Sequence, residues 1–157
     1  MFKEVLFHSL EEMRLVAPSS TTVVISILDV SEEFGRPPLE GFRDVLRLQF
    51  EDTYENEGAS PWPDEPTDAE HARVVQMVGE RVCTISDARA VIAFLEKHHS
   101  SFDQLTLVVH CQGGISRSAA VASWASVRYW APMVGVRSAE WPNVRLLRLL
   151  DKASGRR

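Results

Sequence analysis

Apolar positions along the chain fall into short runs separated by polar turns, and their spacing alternates between strand-like and helix-like. Lys3 to Ser9 reads as a first strand, and Leu10 to Val16 as a short helix stopped by Pro18. The β-branched run Thr22-Val23-Val24-Ile25-Ser26-Ile27-Leu28-Asp29 predicts a buried strand. After a turn region at Ser31–Gly41, Asp44 to Phe50 alternates cleanly enough for another strand. An acidic, Pro-rich loop over 51–67 follows. Asp68 to Val82 is expected to be a helix with Asp68 as its cap, and a second helix opens at Ile85, capped by Ser86 or Asp87. Leu105 to Val109 is apolar at nearly every position, as in a strand covered on both faces. From Ser116 to Trp130 the chain is Ala-rich and free of Gly and Pro, the pattern of a helix packed close to a sheet. A terminal helix from Pro142 is expected to bury Val144, Leu146, Leu147, Leu149 and Leu150 and to show Arg145 and Arg148 to solvent. Strands alternating with helices predict an α/β fold, three-layer α/β/α, around a mostly parallel sheet of four to five strands. One domain spans 1–157, with 51–83 as an acidic loop or lid plus an inserted helix.

Composition changes this picture little. At 157 residues, 45% hydrophobic and 25% charged, the chain suits one globular domain with a real core. No run approaches the roughly 18 apolar residues of a membrane helix, so no membrane partner is expected. The first residues, with Glu11 and Glu12 close behind, lack the layout of a signal peptide, which makes the cytoplasm the expected compartment. A net charge of −5 disfavours an extended nucleic-acid surface. Two cysteines, Cys83 and Cys111, give no disulfide scaffold. Cys83, next to Val82, reads first as a core thiol and second as a redox partner for a reactive cysteine. The five histidines show no zinc spacing, and the adjacent His98 and His99 read as solvated. Trp124, Trp130 and Trp141 read as packing residues, and Trp62 as the one that could meet a substrate.

The chemistry concentrates at 110–118, His-Cys-Gln-Gly-Gly-Ile-Ser-Arg-Ser. A strand delivers Cys111 into a Gly-rich turn with a helix behind it. Gln112, Gly113, Gly114, Ile115 and Ser116 can turn their backbone N–H groups inward around phosphate oxygens, and the helix N-terminus adds partial positive charge. Thiols at helix N-termini ionise more readily, so a cradle for a phosphate dianion also favours the nucleophilic thiolate. Arg117 offers a planar fork for two phosphoryl oxygens, and Ser118 a hydroxyl for the cysteine sulfur. His110 points the other way along the strand and is expected to orient the loop by hydrogen bonding.

The motif His110-Cys111-x5-Arg117-Ser118 resembles the active-site loop of the cysteine-based protein tyrosine phosphatase superfamily, and the Gly114-Ile115-Ser116-Arg117-Ser118 ending is most similar to its compact dual-specificity and bacterial members. The resemblance implies a phosphotyrosine protein phosphatase-like fold and a phospho-cysteine intermediate. It implies no cofactor and no metal, and a phosphorylated protein or small phosphomonoester as substrate. Phosphoinositides and nucleotides stay open, although Gln112, Gly113 and Ile115 are neutral where such head groups would call for Lys or Arg. It also implies an aspartate that protonates the leaving oxygen. Two candidates exist. Asp52 follows the strand that ends near Phe50, and so shares the sheet edge of Cys111 where parallel sheets bind ligands. Asp64, in Pro61-Trp62-Pro63-Asp64, reproduces the Trp-Pro-Asp loop of the large tyrosine-specific members. Both lie farther ahead of the cysteine than in compact members, which implies an insertion within 54–83. Asp52 is favoured. The competing readings are a phosphate-binding pseudophosphatase and a sulfur transferase. The five-residue spacer followed by Arg-Ser argues against the second.

Overall fold

The computed structural model describes residues 1–30, 35–55, 62–78 (74–78 by backbone alone), 81–135 and 138–155. Four strands form the centre: β1 (Phe2–His8), β2 (Thr22–Leu28), β3 (Asp44–Gln49) and β4 (Leu105–His110). All pair in parallel, in the order β1-β4-β2-β3. The strand that leads into Cys111, β4, is therefore central, paired to β1 through Val5–Leu107 and to β2 through Val23–Leu107. The α/β expectation holds, with the sheet resolved to four strands and no antiparallel member among the described residues.

Alternation sorts each strand between two apolar clusters. Val5, Phe7, Val23, Ile25, Ile27, Leu107 and Val109 face the larger core, shared with α3 (Ile85–His99), α4 (Arg117–Tyr129) and α5 (Val144–Ala153). Val24, Val108 and Leu6 face a smaller one, closed by Met13, Leu39 and Phe42. The opposite layer is thin: α1 runs only from Leu10 to Met13, shorter than the expected helix to Val16.

Several local expectations are corrected. The helix α2 (Asp68–Val78) is capped by Thr67, whose hydroxyl accepts from the Glu70 N–H while Glu70 accepts from the Thr67 N–H. The cap of α3 is Thr84, paired with Asp87 in the same reciprocal way. Trp124 is buried and donates to Asp151, but Trp130 and Trp141 are 93% and 73% exposed. His98 is buried against Asp44 at 2.9 Å, and the His99 ring packs against Phe2 and Tyr129.

The largest correction concerns α5. Val144 is exposed, while Arg145 is completely buried and lies in the apolar stripe with Leu146, Leu149 and Leu150. Its guanidinium donates to Glu55 at 2.7 Å and to the carbonyls of Cys83, Trp62 and Pro63 at 2.9, 3.3 and 2.8 Å. Arg148 donates to Glu55 as well. The described parts of the acidic loop are thus tied to α5. A buried charge that loses its partner costs about 3–5 kcal/mol. Because Arg148 still holds Glu55, Arg145→Ala is expected near the lower end, about 3 kcal/mol in chemical denaturation. Arg148→Ala, at a 39% exposed side chain, is expected below about 1 kcal/mol.

Candidate active site

The turn after β4 is seated on the junction of β1 and α1. The Cys111 N–H donates to the His8 carbonyl at 3.3 Å, and the Leu10 N–H donates to the Gln112 carbonyl at 3.0 Å. Gly114 has φ +64°, and a Cβ there would stand 2.4 Å from the Ser9 nitrogen and 2.7 Å from the His8 carbonyl carbon. Both obstacles are backbone and cannot yield. Gly114→Ala is therefore expected to destabilise the fold by more than about 1 kcal/mol. A Cβ at Gly113 meets nothing nearer than Ile115 Cδ1 at 3.9 Å, so Gly113→Ala should leave the unfolding midpoint unchanged.

This tight turn encloses Cys111. The side chain is buried, its Sγ accepts from the Gly114 N–H at 3.3 Å, and the Ser118 hydroxyl lies 3.2 Å away in the first turn of α4. The N-cap of α4 is Ser116, yet its hydroxyl makes no capping bond. It donates instead to Asp52 Oδ1 at 2.7 Å. An N-cap serine ordinarily satisfies one of the first helical N–H groups. Here the N-cap side chain leaves that end of α4 unserved, and the end sits directly beside the thiol.

Asp52 lies just past β3, at the same sheet edge. Its Oδ1 accepts a second bond from Asn143 Nδ2 at 2.7 Å, and its Oδ2 accepts from the Tyr54 hydroxyl at 3.3 Å. Asn143 is a buried junction of three segments. Its Oδ1 caps α5 through the Leu146 N–H, its own N–H donates to the Ser116 carbonyl, and its Nδ2 also reaches the Thr53 carbonyl. The sequence signals Asn143 only as a helix cap ahead of an apolar run; its bond to Asp52 is not visible there.

Arg117 is 5% exposed. Its Nη1 donates to Asp29 Oδ1 at 2.6 Å and to the Phe50 carbonyl at 2.7 Å, and its Nε has no hydrogen-bond partner among the described residues. Asp29 ends the second predicted strand, and nothing local in the sequence marks it as a site residue.

Asp64 stands elsewhere. It pairs with Arg148 at 2.7 Å and with Lys152, and these two cations, chiefly Arg148, hold its pKa at about 2 against the opposing effect of burial. No hydrogen bond among the described residues links it to 111–118. Trp62 belongs to the same α5-anchored stretch, and Pro61 lies outside the described residues.

His110 is fully buried on the opposite face of the sheet, and neither ring nitrogen makes a hydrogen bond among the described residues. Burial pushes its pKa down to about 4, opposed by the neighbouring Cys111 backbone. The ring's backbone contact is to Cys111, the first residue of the loop, at a geometry looser than a full hydrogen bond. Cys83 lies in the larger core, where burial pushes its thiol well above its ordinary value. Among the described residues no cluster of His, Cys, Asp or Glu could hold a metal ion, and no helix is long and apolar enough to cross a membrane.

No protein-family model matches the chain, and no curated protein matches it in sequence. Among solved structures it is similar to the crystal structure of a human tyrosine phosphatase-like serine/threonine/tyrosine-interacting protein. That similarity has 17% identity and a TM-score of 0.42, and covers 87% of this chain and 78% of the other.

Proposed function

We propose that this chain hydrolyses phosphomonoesters through a phospho-cysteine formed on Cys111. One observation carries the reading: a buried thiol lies at a helix N-terminus with no side-chain cap, within reach of the Gly114 N–H and the Ser118 hydroxyl. An uncapped helix start is an anion site, and a thiol within it is a nucleophile for the same anion.

In the first step the Cys111 thiolate attacks phosphorus in line, and the bond to the leaving oxygen breaks. Backbone N–H groups of 112–116 and the Arg117 guanidinium take up the charge spread over the three phosphoryl oxygens. Asp52 protonates the leaving oxygen. Its Oδ1 already accepts two strong bonds, so the proton is carried on Oδ2, the oxygen facing the Tyr54 hydroxyl. In the second step water attacks the phospho-cysteine, Asp52 takes a proton from it, and sulfur leaves as thiolate. Ser118, donating to that sulfur, lowers the cost of its departure.

Phosphotyrosine is the substrate we infer first, with phosphoserine and phosphothreonine as extensions. The loop residues exposed at the mouth, Gln112, Gly113 and Ile115, carry no charge to recognise a polyphosphorylated head group. We assign the general acid to Asp52 because Asp64 is committed to two cations on α5.

The test is release of phosphate from p-nitrophenyl phosphate by the purified chain, with and without vanadate. Vanadate-sensitive turnover is expected. Binding of phosphate without turnover would instead make the chain a phosphate-binding module, and neither binding nor turnover would overturn both readings.

A further inference from the structure

We infer that Asp29 is a positioning residue for Arg117: it fixes one nitrogen of the guanidinium so that the opposite edge meets the phosphoryl group. This rests on the hydrolase reading above and adds to it a residue from a different strand.

Leu28 and Gln49 are register partners on β2 and β3, so the next residues, Asp29 and Phe50, lie side by side at the C-terminal edge of the sheet. Both direct an acceptor at the same atom, Nη1 of Arg117, at 2.6 and 2.7 Å. Nη1 carries two N–H groups, and both are thereby engaged. Three donors remain, one on Nε and two on Nη2. Nε is buried and unpartnered among the described residues. A buried N–H without an acceptor ordinarily costs about 1–3 kcal/mol and is rare in a folded protein. A ligand that supplies the acceptor removes that cost. The Nε–Nη2 edge is the fork that matches two oxygens of a phosphoryl group.

A carboxylate beside the arginine also acts against an incoming anion. The geometry decides which effect prevails. Asp29 lies on Nη1, away from the free edge, so it does not occupy the place of the phosphoryl oxygens. Arginine has a long, flexible stem, and holding its head before substrate arrives removes an ordering cost from binding. The carbonyl of Phe50 accepts from the other N–H and cannot alone fix the plane of the fork.

The experiment measures the affinity for inorganic phosphate by calorimetry, together with kcat and KM for p-nitrophenyl phosphate, in three variants. Asp29→Ala is expected to raise the phosphate Kd and KM about tenfold, the size of one lost bond to a charged group. Asp29→Asn keeps an acceptor at the same distance and is expected to restore binding to within about threefold, a rescue that loss of charge alone would not permit. Asp29→Glu keeps the charge but displaces the acceptor by one methylene; it is expected to lose affinity like alanine, and stands in for it should Asp29→Ala not fold. The dependence of kcat on pH, set by Asp52, should not move in any of them. Unchanged or tighter phosphate binding in Asp29→Ala or Asp29→Glu overturns the inference, because Asp29 would then be a bystander or a competitor of the anion. Wild-type protein that hydrolyses the ester while the variants match it removes only the role of Asp29. Wild-type protein that neither binds phosphate nor hydrolyses the ester removes the hydrolase reading as well.

Discussion

Cys111→Ser is expected to lower phosphate release from p-nitrophenyl phosphate by about 10⁴-fold or more, to the level of the blank, since a serine hydroxyl has no base here to make it a nucleophile. The loop itself should survive. Serine is slightly smaller than cysteine, so the Gly114 N–H and the Ser118 hydroxyl keep an oxygen to bond in place of sulfur. The variant should therefore still bind phosphate, with a Kd within a few-fold of wild type in calorimetry. Removing the thiolate also removes its repulsion of the dianion, which favours tighter binding. Turnover by Cys111→Ser at the wild-type rate would show that the thiol does no chemistry, and the phospho-cysteine route would fall with it.

Asp52→Asn should lower kcat by about 10²–10⁴-fold on an alkyl phosphate or phosphotyrosine, whose leaving oxygens need a proton. The loss should be much smaller on p-nitrophenyl phosphate, whose leaving group departs as the anion. A merely structural role would depress both substrates alike. The alkaline fall in the pH profile of kcat should also vanish in Asp52→Asn, because that fall reports deprotonation of the acid. Asn143→Ala, which removes one of the two bonds that orient Oδ1, should show the same leaving-group dependence in weaker form. Asp64→Asn should leave kcat unchanged on every substrate and act on stability. The cations of α5 hold Asp64 at about 2, against an ordinary 3.8. Its contribution is therefore complete above the ordinary value and is lost as pH falls through about 2. The difference in stability between wild type and Asp64→Asn should follow that course in acid titration. A fall in kcat on Asp64→Asn with none on Asp52→Asn would reverse the assignment.

The two aspartates show where local reading stops. The Trp-Pro-Asp string at 62–64 is the better motif, and Asp52 the plainer residue. What separates them is a helix some 80 to 100 positions later. The same helix, α5, engages Asp64 with Arg148 and Lys152, and through Asn143 at its N-cap it bonds Asp52, which also accepts from Ser116 at the start of α4. Arg145 teaches the same lesson. Its position fits the buried stripe of α5, yet a guanidinium belongs in an apolar stripe only if acceptors meet it there. Those acceptors, Glu55 and the carbonyls of Cys83, Trp62 and Pro63, are brought from far along the chain. Trp130 errs the other way. Its size suggests packing, but it occupies the left-handed position that ends α4 and projects into solvent.

By itself the sequence determined whatever depends on neighbours a few positions apart. Strand and helix periods, the Gly-rich turn and the spacing of Cys111, Arg117 and Ser118 are local, because backbone dihedrals and side-chain faces repeat over two to four residues. The parallel α/β architecture follows from their alternation. Tertiary structure alone decided that Asp52 bonds Ser116 and Asn143 while Asp64 pairs with Arg148 and Lys152, which acceptors hold Arg117, and that the described parts of the acidic loop bond a buried arginine. Each of those depends on a bond of about 3 Å between groups distant in sequence. Such a bond exists only once the sheet order has brought the ends of β2, β3 and β4 to one edge and α5 has packed against α3 and α4.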